Sequence, residues 1–174
     1  MLTQYGIYVD VERCVQCHAC ETACKAKNNI EPGVKWRMVL DFWQGQFPTP
    51  VNRSLPYACF HCAVPACEAA CPSGAITKRS SDGVVDVNHD RCIGCRSCQL
   101  ACPFGIPQFG SDGRMQKCNL CVDRLGHNLE PACVATCPAE ALFFGTLEAL
   151  NRQGPIRKGI NRMKHIWLNA APSV

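Results

Sequence analysis

The sequence predicts an α+β fold assembled from short, repeated units, each centred on a group of cysteines. Two observations predict it. The 174 residues include 16 cysteines, about 9 % of the chain, which is typical of proteins held together by sulfur chemistry rather than by packing alone. The cysteines also fall into four groups of four, with short β-like segments between the groups. The length fits one domain or two small ones.

Each group of cysteines combines a C-x2-C pair with a later C-x3-C pair. They are group one (Cys14, Cys17, Cys20, Cys24), group two (Cys59, Cys62, Cys67, Cys71), group three (Cys92, Cys95, Cys98, Cys102) and group four (Cys118, Cys121, Cys133, Cys137). Groups one and three have the spacing C-x2-C-x2-C-x3-C, and groups two, three and four end in Cys-Pro. The run C-x2-C-x2-C-x3-C-P is the bacterial ferredoxin signature for a 4Fe–4S cluster. The sequence therefore predicts duplicated bacterial ferredoxin-like halves.

The spacing also indicates how the ligands are shared. Three thiolates two residues apart can wrap one face of a cuboidal cluster, whereas the fourth has entered a helical turn and points to the other cluster of a pair. Sixteen ligands at four per cluster predict four 4Fe–4S clusters with no Cys left over. His18 and His61 lie inside C-x2-C segments, and we expect them to be non-ligands that donate hydrogen bonds to sulfur.

Two other uses of cysteine remain open as alternatives. Zinc sites also use C-x2-C pairs, so a zinc-stapled binding module is a remote alternative. Zinc gives no reason for the C-x3-C-P endings. A disulfide-rich protein is less favoured still, because the N-terminus does not resemble a signal peptide and reducing compartments keep cysteines for metals or redox chemistry.

The segments between the groups predict short strands. Residues 5–11 are β-branched and aromatic and lead into group one. Residues 74–87 carry a Ser-Ser-Asp-Gly turn between apolar runs and predict a hairpin, and residues 141–145 predict another strand. In the Cys-free insert, residues 35–43 predict a strand, followed by a turn and a Pro-rich stretch through Pro56. Trp36 and Trp43 in this insert either cover the core or form part of a partner face.

Charge and hydropathy exclude two classes of partner contact. The formal net charge is +4, but four clusters at about −2 each bring the loaded protein to about −4, which gives no case for nucleic acid. Lys117, Arg91 and Arg96 adjoin cysteines and are expected to compensate the negative charge of the clusters.

The longest uncharged run, residues 54–67, is interrupted by two prolines and a His. We therefore expect no transmembrane segment in this chain.

Several stretches around the cysteines resemble one family of electron-transfer proteins. They are residues 3–6 (Thr-Gln-Tyr-Gly), Asp10 with Arg13-Cys14, residues 71–75, residues 91–96 and Lys117-Cys118. They resemble the iron–sulfur subunits of the dimethyl sulfoxide reductase family, whose relatives serve polysulfide, thiosulfate, tetrathionate and formate enzymes. The resemblance covers roughly residues 3–150 and is specific for the family but not for the substrate.

The resemblance implies which cysteines share a cluster. Group one is paired with group four, and group two with group three. The ligands implied are Cys14, Cys17, Cys20 and Cys137 for cluster one, Cys24, Cys118, Cys121 and Cys133 for cluster two, Cys59, Cys62, Cys67 and Cys102 for cluster three, and Cys71, Cys92, Cys95 and Cys98 for cluster four. In related nitrate reductase subunits a Trp replaces one group-three ligand. Here that position is Cys95, so four cubane clusters are expected.

The resulting domain division has four parts. Residues 1–25 and 115–145 form the half that holds clusters one and two, and residues 57–114 form the half that holds clusters three and four. Residues 26–56 are the Cys-free insert, and residues 146–174 are a basic C-terminal extension that is either a solvated end or a docking segment.

The function expected is that of a non-catalytic electron-transfer subunit. The resemblance implies a catalytic partner with molybdenum or tungsten bis-pterin, and a membrane-anchor or quinone-linked subunit as a further partner. It implies a prokaryotic, membrane-associated complex, periplasmic if the chain is exported with a signal-bearing partner and cytoplasmic otherwise. An alternative is the electron-transfer subunit of a soluble cytoplasmic aldehyde oxidoreductase or hydrogenase-type complex.

Overall fold

The structure, a computed structural model, describes residues 3–153 and consists there of short helices and four two-stranded antiparallel sheets. The strands are β1 (Tyr5–Val9), β2 (Arg37–Gln44), β3 (Val51–Ala58), β4 (Ile76–Lys78), β5 (Val85–Val87), β6 (Gln108–Phe109), β7 (Met115–Gln116) and β8 (Leu142–Thr146). The helices are α1 (Ala19–Asn28), α2 (Ala66–Ala69), α3 (Ser97–Ala101), α4 (Val122–Leu125), α5 (Ala132–Ala135) and α6 (Leu147–Gln153). The predicted α+β class of small helices and short strands is confirmed.

The strands pair as β1–β8, β2–β3, β4–β5 and β6–β7. The predicted strands at residues 5–11 and 141–145 therefore exist and pair with each other, so the two ends of the described chain meet. Tyr5 stacks on Phe144 across this pair, with ring centroids 5.2 Å apart. The predicted hairpin within residues 74–87 is β4–β5.

The second half of the Pro-rich stretch in the insert forms a strand that the sequence analysis did not predict. Residues 51–58 form β3, which pairs with β2 along its full length. Proline is tolerated in strands whose N–H side is free, and both strands of a two-stranded sheet have a free edge. Pro56 therefore fits opposite Val39 without breaking the hairpin.

Proline also decides where the cysteine-bearing helices end. Cys102 precedes Pro103 and is already extended, with φ −82° and ψ 113° at the end of α3, as expected from the clash between a proline ring and a helical residue before it. Group one has Lys25 in place of that proline. Helix α1 accordingly continues past Cys24 to Asn28, which makes it ten residues long.

Two apolar clusters form the core. The first gathers residues from β1, β2, β8, α1, α5 and two loops (Ile7, Val9, Cys20, Val39, Val84, Leu120, Cys133, Val134, Leu142). The second is smaller (Ile76, Val85, Cys98, Met115). Five of these thirteen side chains are cysteines or lie next to a cysteine in the sequence, so sulfur contributes directly to the interior.

The predicted domain division stays a prediction. Near its boundary at residues 114/115, hairpin β6–β7 pairs Gln108 and Phe109 with Gln116 and Met115, and Met115 packs in the second cluster. The predicted extension from residue 146 begins as the end of β8 and helix α6, whose Leu150 is buried against Gly6 and Gly145. The rest of the basic extension, with Arg157, Lys158, Arg162 and Lys164, lies outside the described residues.

The insert hairpin is buried at one end only. Arg37 and Val39 are buried, whereas Trp43 is 70 % exposed near the hairpin tip, so Trp43 does not cover the core. Trp36 is half-buried and donates its indole N–H to the Gln116 side chain at 3.2 Å. The two tryptophans thus have different environments. No helix among residues 3–153 has the length and apolarity needed to cross a bilayer.

Candidate iron–sulfur centres

The four cysteine groups fold into loops of one kind. The residue before the second Cys has a left-handed backbone in every group, namely Gln16, His61, Gly94 and Leu120. The third Cys is always the second residue of a short helix: Cys20 in α1, Cys67 in α2, Cys98 in α3 and Cys133 in α5. A left-handed residue turns successive backbone N–H groups toward one side of the loop. Each loop can therefore direct N–H groups and thiols at the same space.

Finer details divide the groups into two kinds. In groups one and three the residue after the second Cys, His18 or Arg96, is also left-handed. In groups two and four a backbone N–H four residues beyond the last Cys donates to its sulfur, from Ala75 to Cys71 and from Ala141 to Cys137, both at 3.3 Å. Group one thus resembles group three, and group two resembles group four.

Three cavities in the structure are each lined by four thiols. Site one is lined by Cys14, Cys17, Cys20 and Cys137, site three by Cys59, Cys62, Cys67 and Cys102, and site four by Cys71, Cys92, Cys95 and Cys98. Each combines three cysteines of one group with one of another. The three spaces are similar in size, about 310, 320 and 290 Å³ including volume open to solvent.

The remaining four thiols are also neighbours. They are Cys24, Cys118, Cys121 and Cys133, all buried, and we call them site two. Cys133 contributes a charge interaction to each of the other three. Helix α1 packs on α5, and α2 packs on α3. These helix pairs bring group one against group four and group two against group three.

The sites follow one another along the molecule. Cys20 of site one interacts with Cys133 of site two, and Cys118 of site two interacts with Cys59 of site three. Sites three and four share helices α2 and α3. The two exposed thiols of the set, Cys17 and Cys95, belong to sites one and four at the two ends of this series.

Burial sets the protonation of the bare thiols. Desolvation raises the pKa of Cys20 and Cys67 to about 11 and that of Cys24 to about 12, and it raises the pKa of Cys118 further. Even with Arg37 or Lys117 nearby, the pKa of each of these thiols therefore stays above its usual range. Iron binding requires thiolates and releases these protons. The donor set, four converging sulfurs per site with backbone N–H groups beside them, fits a 4Fe–4S cluster rather than an anion or a polar ligand.

Site four differs from the others in its surroundings. Desolvation raises the pKa of Cys71, but hydrogen bonds from Ser73 and nearby backbone N–H groups outweigh it and the pKa is lowered. A hydrogen bond with the Ser97 hydroxyl lowers the pKa of the exposed Cys95. Site two has the opposite character, because all four of its thiols are buried.

The two histidines lie beside the sites, as expected, but in different ways. His18 lines site one and faces Glu21, with Nδ1 3.4 Å from the carboxylate. His61 is buried, and its Nδ1 accepts a hydrogen bond from the N–H of Val85 at 2.9 Å. Burial, with Lys117 and Lys78 nearby, holds the pKa of His61 well below its usual range. In neither case does the structure record a histidine side chain donating to sulfur.

The cations expected near the clusters are only partly placed as predicted. Lys117 is buried, lines site three, and donates to the carbonyls of Val85 and Cys118. Arg96 lines site four and lies over the Phe109 ring, 4.9 Å from its centroid. The Arg91 guanidinium lies against Gly74, three residues after Cys71.

Arg37 is a residue that the sequence reasoning missed. It is 2 % exposed and its strongest charge interactions are with thiols of sites one and two. The alternation of β2 was a usable signal, since Arg37 lies on the same strand face as buried Val39.

Short helices and two-stranded sheets around these sets of thiols define the class of the protein: an iron–sulfur protein of ferredoxin type. The comparison with known families agrees. A family described as "4Fe-4S dicluster domain" matches residues 51–147, and one described as "4Fe-4S binding domain" matches residues 11–27. Both descriptions disfavour the zinc-stapled module.

Curated relatives identify the family more closely. The protein is 41 % identical over 162 residues to a chain of the anaerobic dimethyl sulfoxide reductase of Escherichia coli (strain K12), covering 88 % of this sequence and 78 % of the relative. It is 37 % identical to a subunit of the sulfite dehydrogenase of Allochromatium vinosum, over 83 % of this sequence and 69 % of that one. It is also 35 % identical to a formate dehydrogenase iron–sulfur subunit of Haemophilus influenzae, over 82 % of this sequence and 51 % of the relative.

The chain therefore belongs to the family of dimethyl sulfoxide reductase iron–sulfur subunits, as its sequence motifs had indicated. Members of this family are iron–sulfur subunits of oxidoreductase complexes and not the catalytic subunits. The assignment of particular cysteines to particular clusters remains a prediction.

Proposed function

We propose that this chain relays single electrons through four 4Fe–4S clusters held at sites one to four. The observation that carries the proposal is the lining of three separate cavities by four thiols each, in the three-plus-one combination expected of paired clusters. The fourth set of thiols, at site two, follows the same rule with three cysteines of group four and one of group one. When bound, each cluster supplies a one-electron redox centre.

The chain itself supplies ligands, insulation and electrostatic tuning. Backbone N–H groups reach sulfur in several loops, from His61 to Cys59 at 3.5 Å, from Leu120 to Cys118 at 3.4 Å and from Met115 to Cys92 at 3.4 Å. Such hydrogen bonds stabilise negative charge on sulfur and raise reduction potentials, as do nearby cations. Burial of site two removes water from the middle of the series, while sites one and four have a thiol at the surface.

The two kinds of loop support a duplicated architecture. Groups one and four form one half with sites one and two, and groups three and two form the other half with sites four and three. In each half the loop with a left-handed residue on either side of its second Cys supplies three ligands to the end site, and the other loop supplies three ligands to the inner site. This arrangement is the internal duplication that the spacing predicts.

The partners follow from the family. We propose that site one faces a molybdenum or tungsten bis-pterin catalytic subunit and site four faces the electron donor or acceptor, in many relatives a quinone-linked membrane subunit. Exposure of Cys17 and Cys95 at the two ends supports a relay with one partner at each end. The complex is proposed to be prokaryotic and membrane-associated through those partners.

A crossed set of ligand variants tests the assignment of thiols to sites. Cys98 and Cys102 lie in one group but are assigned to sites four and three, and Cys67 and Cys71 are likewise neighbours assigned to sites three and four. Each is replaced by Ser, and the electron paramagnetic resonance signals of the reduced full-length chain are compared. Cys102→Ser and Cys67→Ser are expected to alter one signal, and Cys98→Ser and Cys71→Ser another. Pairing of Cys98 with Cys102 would contradict the proposal.

A further inference from the structure

Arg37 is a buried cation, and two of its donor atoms have no polar partner among residues 3–153. The side chain is 2 % exposed, and its Nε and Nη1 atoms are inaccessible to solvent and without a hydrogen-bond partner in the described part of the chain. A buried charge is normally paired, because leaving it without a partner costs its full desolvation. Its position therefore calls for a counter-charge that the polypeptide alone does not provide.

Buried Lys117 and half-buried Lys78 do not share this property, because each donates to acceptors within the described residues. The Lys117 ammonium donates to the backbone carbonyls of Val85 and Cys118. Lys78 donates to the carbonyls of Cys62 and Gly83, at 2.9 and 2.8 Å, and to the Gln4 side chain at 2.7 Å. Both lysine ammonium groups therefore donate to neutral carbonyl or amide oxygens, several of them in the loops near the sites. Arg37 presents N–H groups that have no such acceptor.

Charge interactions link the Arg37 guanidinium to four thiols. Burial by itself would lower the pKa of Arg37, but Cys133, Cys118, Cys20 and Cys24 outweigh it and the pKa is raised. Conversely, Arg37 is the strongest influence opposing desolvation at Cys20 and at Cys118. Cys20 belongs to site one and the other three thiols to site two, so the guanidinium interacts with thiols of both sites.

The backbone holds Arg37 in this position firmly. It is the first residue of β2 and pairs with buried Ala58, the last residue of β3. Cys59 follows directly after that partner. Helix α1, which carries Cys20 and Cys24, packs against β2.

We propose that Arg37 is the shared counter-charge of sites one and two, donating its Nε–H and Nη1–H groups to sulfur of the two clusters and raising the reduction potentials of both. This inference rests on the proposed function. One electron added at either site makes the net charge there one unit more negative, and Arg37 stays protonated, so a fixed positive charge favours the reduced form. The electron comes from the adjoining site or, in the test below, from a chemical reductant.

The test compares three variants of the full-length chain purified without oxygen. Arg37→Gln removes the charge, and Arg37→Lys retains it without the planar fork of donors. Arg53→Gln is the matched control, because Arg53 lies on β3 of the same hairpin with a side chain 37 % exposed. Iron per chain is measured first. Redox titration followed by electron paramagnetic resonance then gives the four midpoint potentials.

Arg37→Gln is expected to lower two of the four midpoints and leave two unchanged. The ratio of reduced to oxidised cluster at a fixed potential should fall about ten- to a hundredfold at the two affected sites, where tenfold corresponds to about 59 mV for a one-electron couple. In Arg37→Lys the ratio of reduced to oxidised cluster should stay within about threefold of the parent's ratio. In Arg53→Gln this ratio should equal the parent's at all four sites. A purely structural role would affect the Gln and Lys variants alike.

Each remaining outcome also decides the matter. Loss of about half the iron in Arg37→Gln, with full iron in Arg37→Lys, supports the proposal. Equal losses in both variants overturn it, as do four unchanged midpoints in an iron-replete Arg37→Gln. If the parent chain itself lacks four clusters, the proposed function fails. If it has four and Arg37→Gln shifts none, the inference about Arg37 alone fails.

Discussion

Gly94 offers a sharp test of how the loop before Cys95 is built. Its backbone is left-handed, with φ +68°, and a Cβ added there would lie 2.6 Å from the carbonyl oxygen of Gly113. Gly105 is a matched control, because it has φ +62° and open space within 4 Å of the added Cβ. Both Ala variants carry the left-handed penalty of about 1–2 kcal/mol. Gly94→Ala alone adds a steric cost of about 1–3 kcal/mol.

The extra steric cost in Gly94→Ala should appear as faster loss of iron from site four. Cys95 lines that site directly after Gly94, so displacement of the loop weakens the hold of a ligand. Because 1.4 kcal/mol corresponds to a factor of ten, the extra cost predicts that iron leaves site four about 5- to 150-fold faster in Gly94→Ala than in Gly105→Ala. The assay follows iron transfer to a coloured chelator without oxygen. Equal rates in the two variants would refute the steric argument.

Three further predictions concern burial and exposure. Val84 is fully buried in the first cluster, so Val84→Ala should lower the free energy of unfolding by about 2–3 kcal/mol in a denaturant titration. Val64 is 63 % exposed, so the control Val64→Ala should change that free energy by less than about 0.5 kcal/mol. Because Cys95 is exposed and all site-two thiols are buried, stepwise oxidation with ferricyanide should remove the electron paramagnetic resonance signal of site four before that of site two. The reverse order would contradict the burial pattern. The Glu148–Arg152 pair on α6 is largely exposed, so Arg152→Ala should change stability by less than about 0.5 kcal/mol in the same titration, and a larger loss would show that α6 depends on it.

The sequence was sufficient to predict the elements whose signals are local. Cysteine spacing and apolar runs placed β1, the β4–β5 hairpin and β8 correctly, and Pro103 explains why α3 ends before Cys102. These features depend on a few neighbouring residues. The family resemblance, which the comparisons confirm, came from equally local motifs.

Other features depend on contacts between distant residues and were not predicted. β3 was missed because Pro56 argues against a strand until the partner β2 is known to leave a free edge. The packing of Met115 with Ile76 and Val85 joins residues far apart in the sequence, so no local pattern indicates it. Arg37 was overlooked because a charged residue in a strand is usually exposed, whereas here α1 packs on β2 and Arg37 is buried.

Cavities lined by thiols from different groups are the main structural addition to the sequence reading. Spacing alone indicates that a fourth Cys points away from its own loop, without indicating where it arrives. In the structure Cys137 lines a cavity with Cys14, Cys17 and Cys20, and Cys71 lines one with three cysteines of group three. This agrees with the pairing that the resemblance implied and supports it independently of the family.

The number and kind of metal clusters test the central claim most directly. The measurement is iron, acid-labile sulfide and zinc per chain in protein purified without oxygen, combined with Mössbauer spectroscopy of an iron-57-enriched sample. Four 4Fe–4S clusters on the sixteen cysteines predict about sixteen irons and sixteen sulfides per chain, no stoichiometric zinc, and a spectrum accounted for by cubane clusters alone. Stoichiometric zinc, or a maximum near eight irons after full reconstitution, would contradict the account.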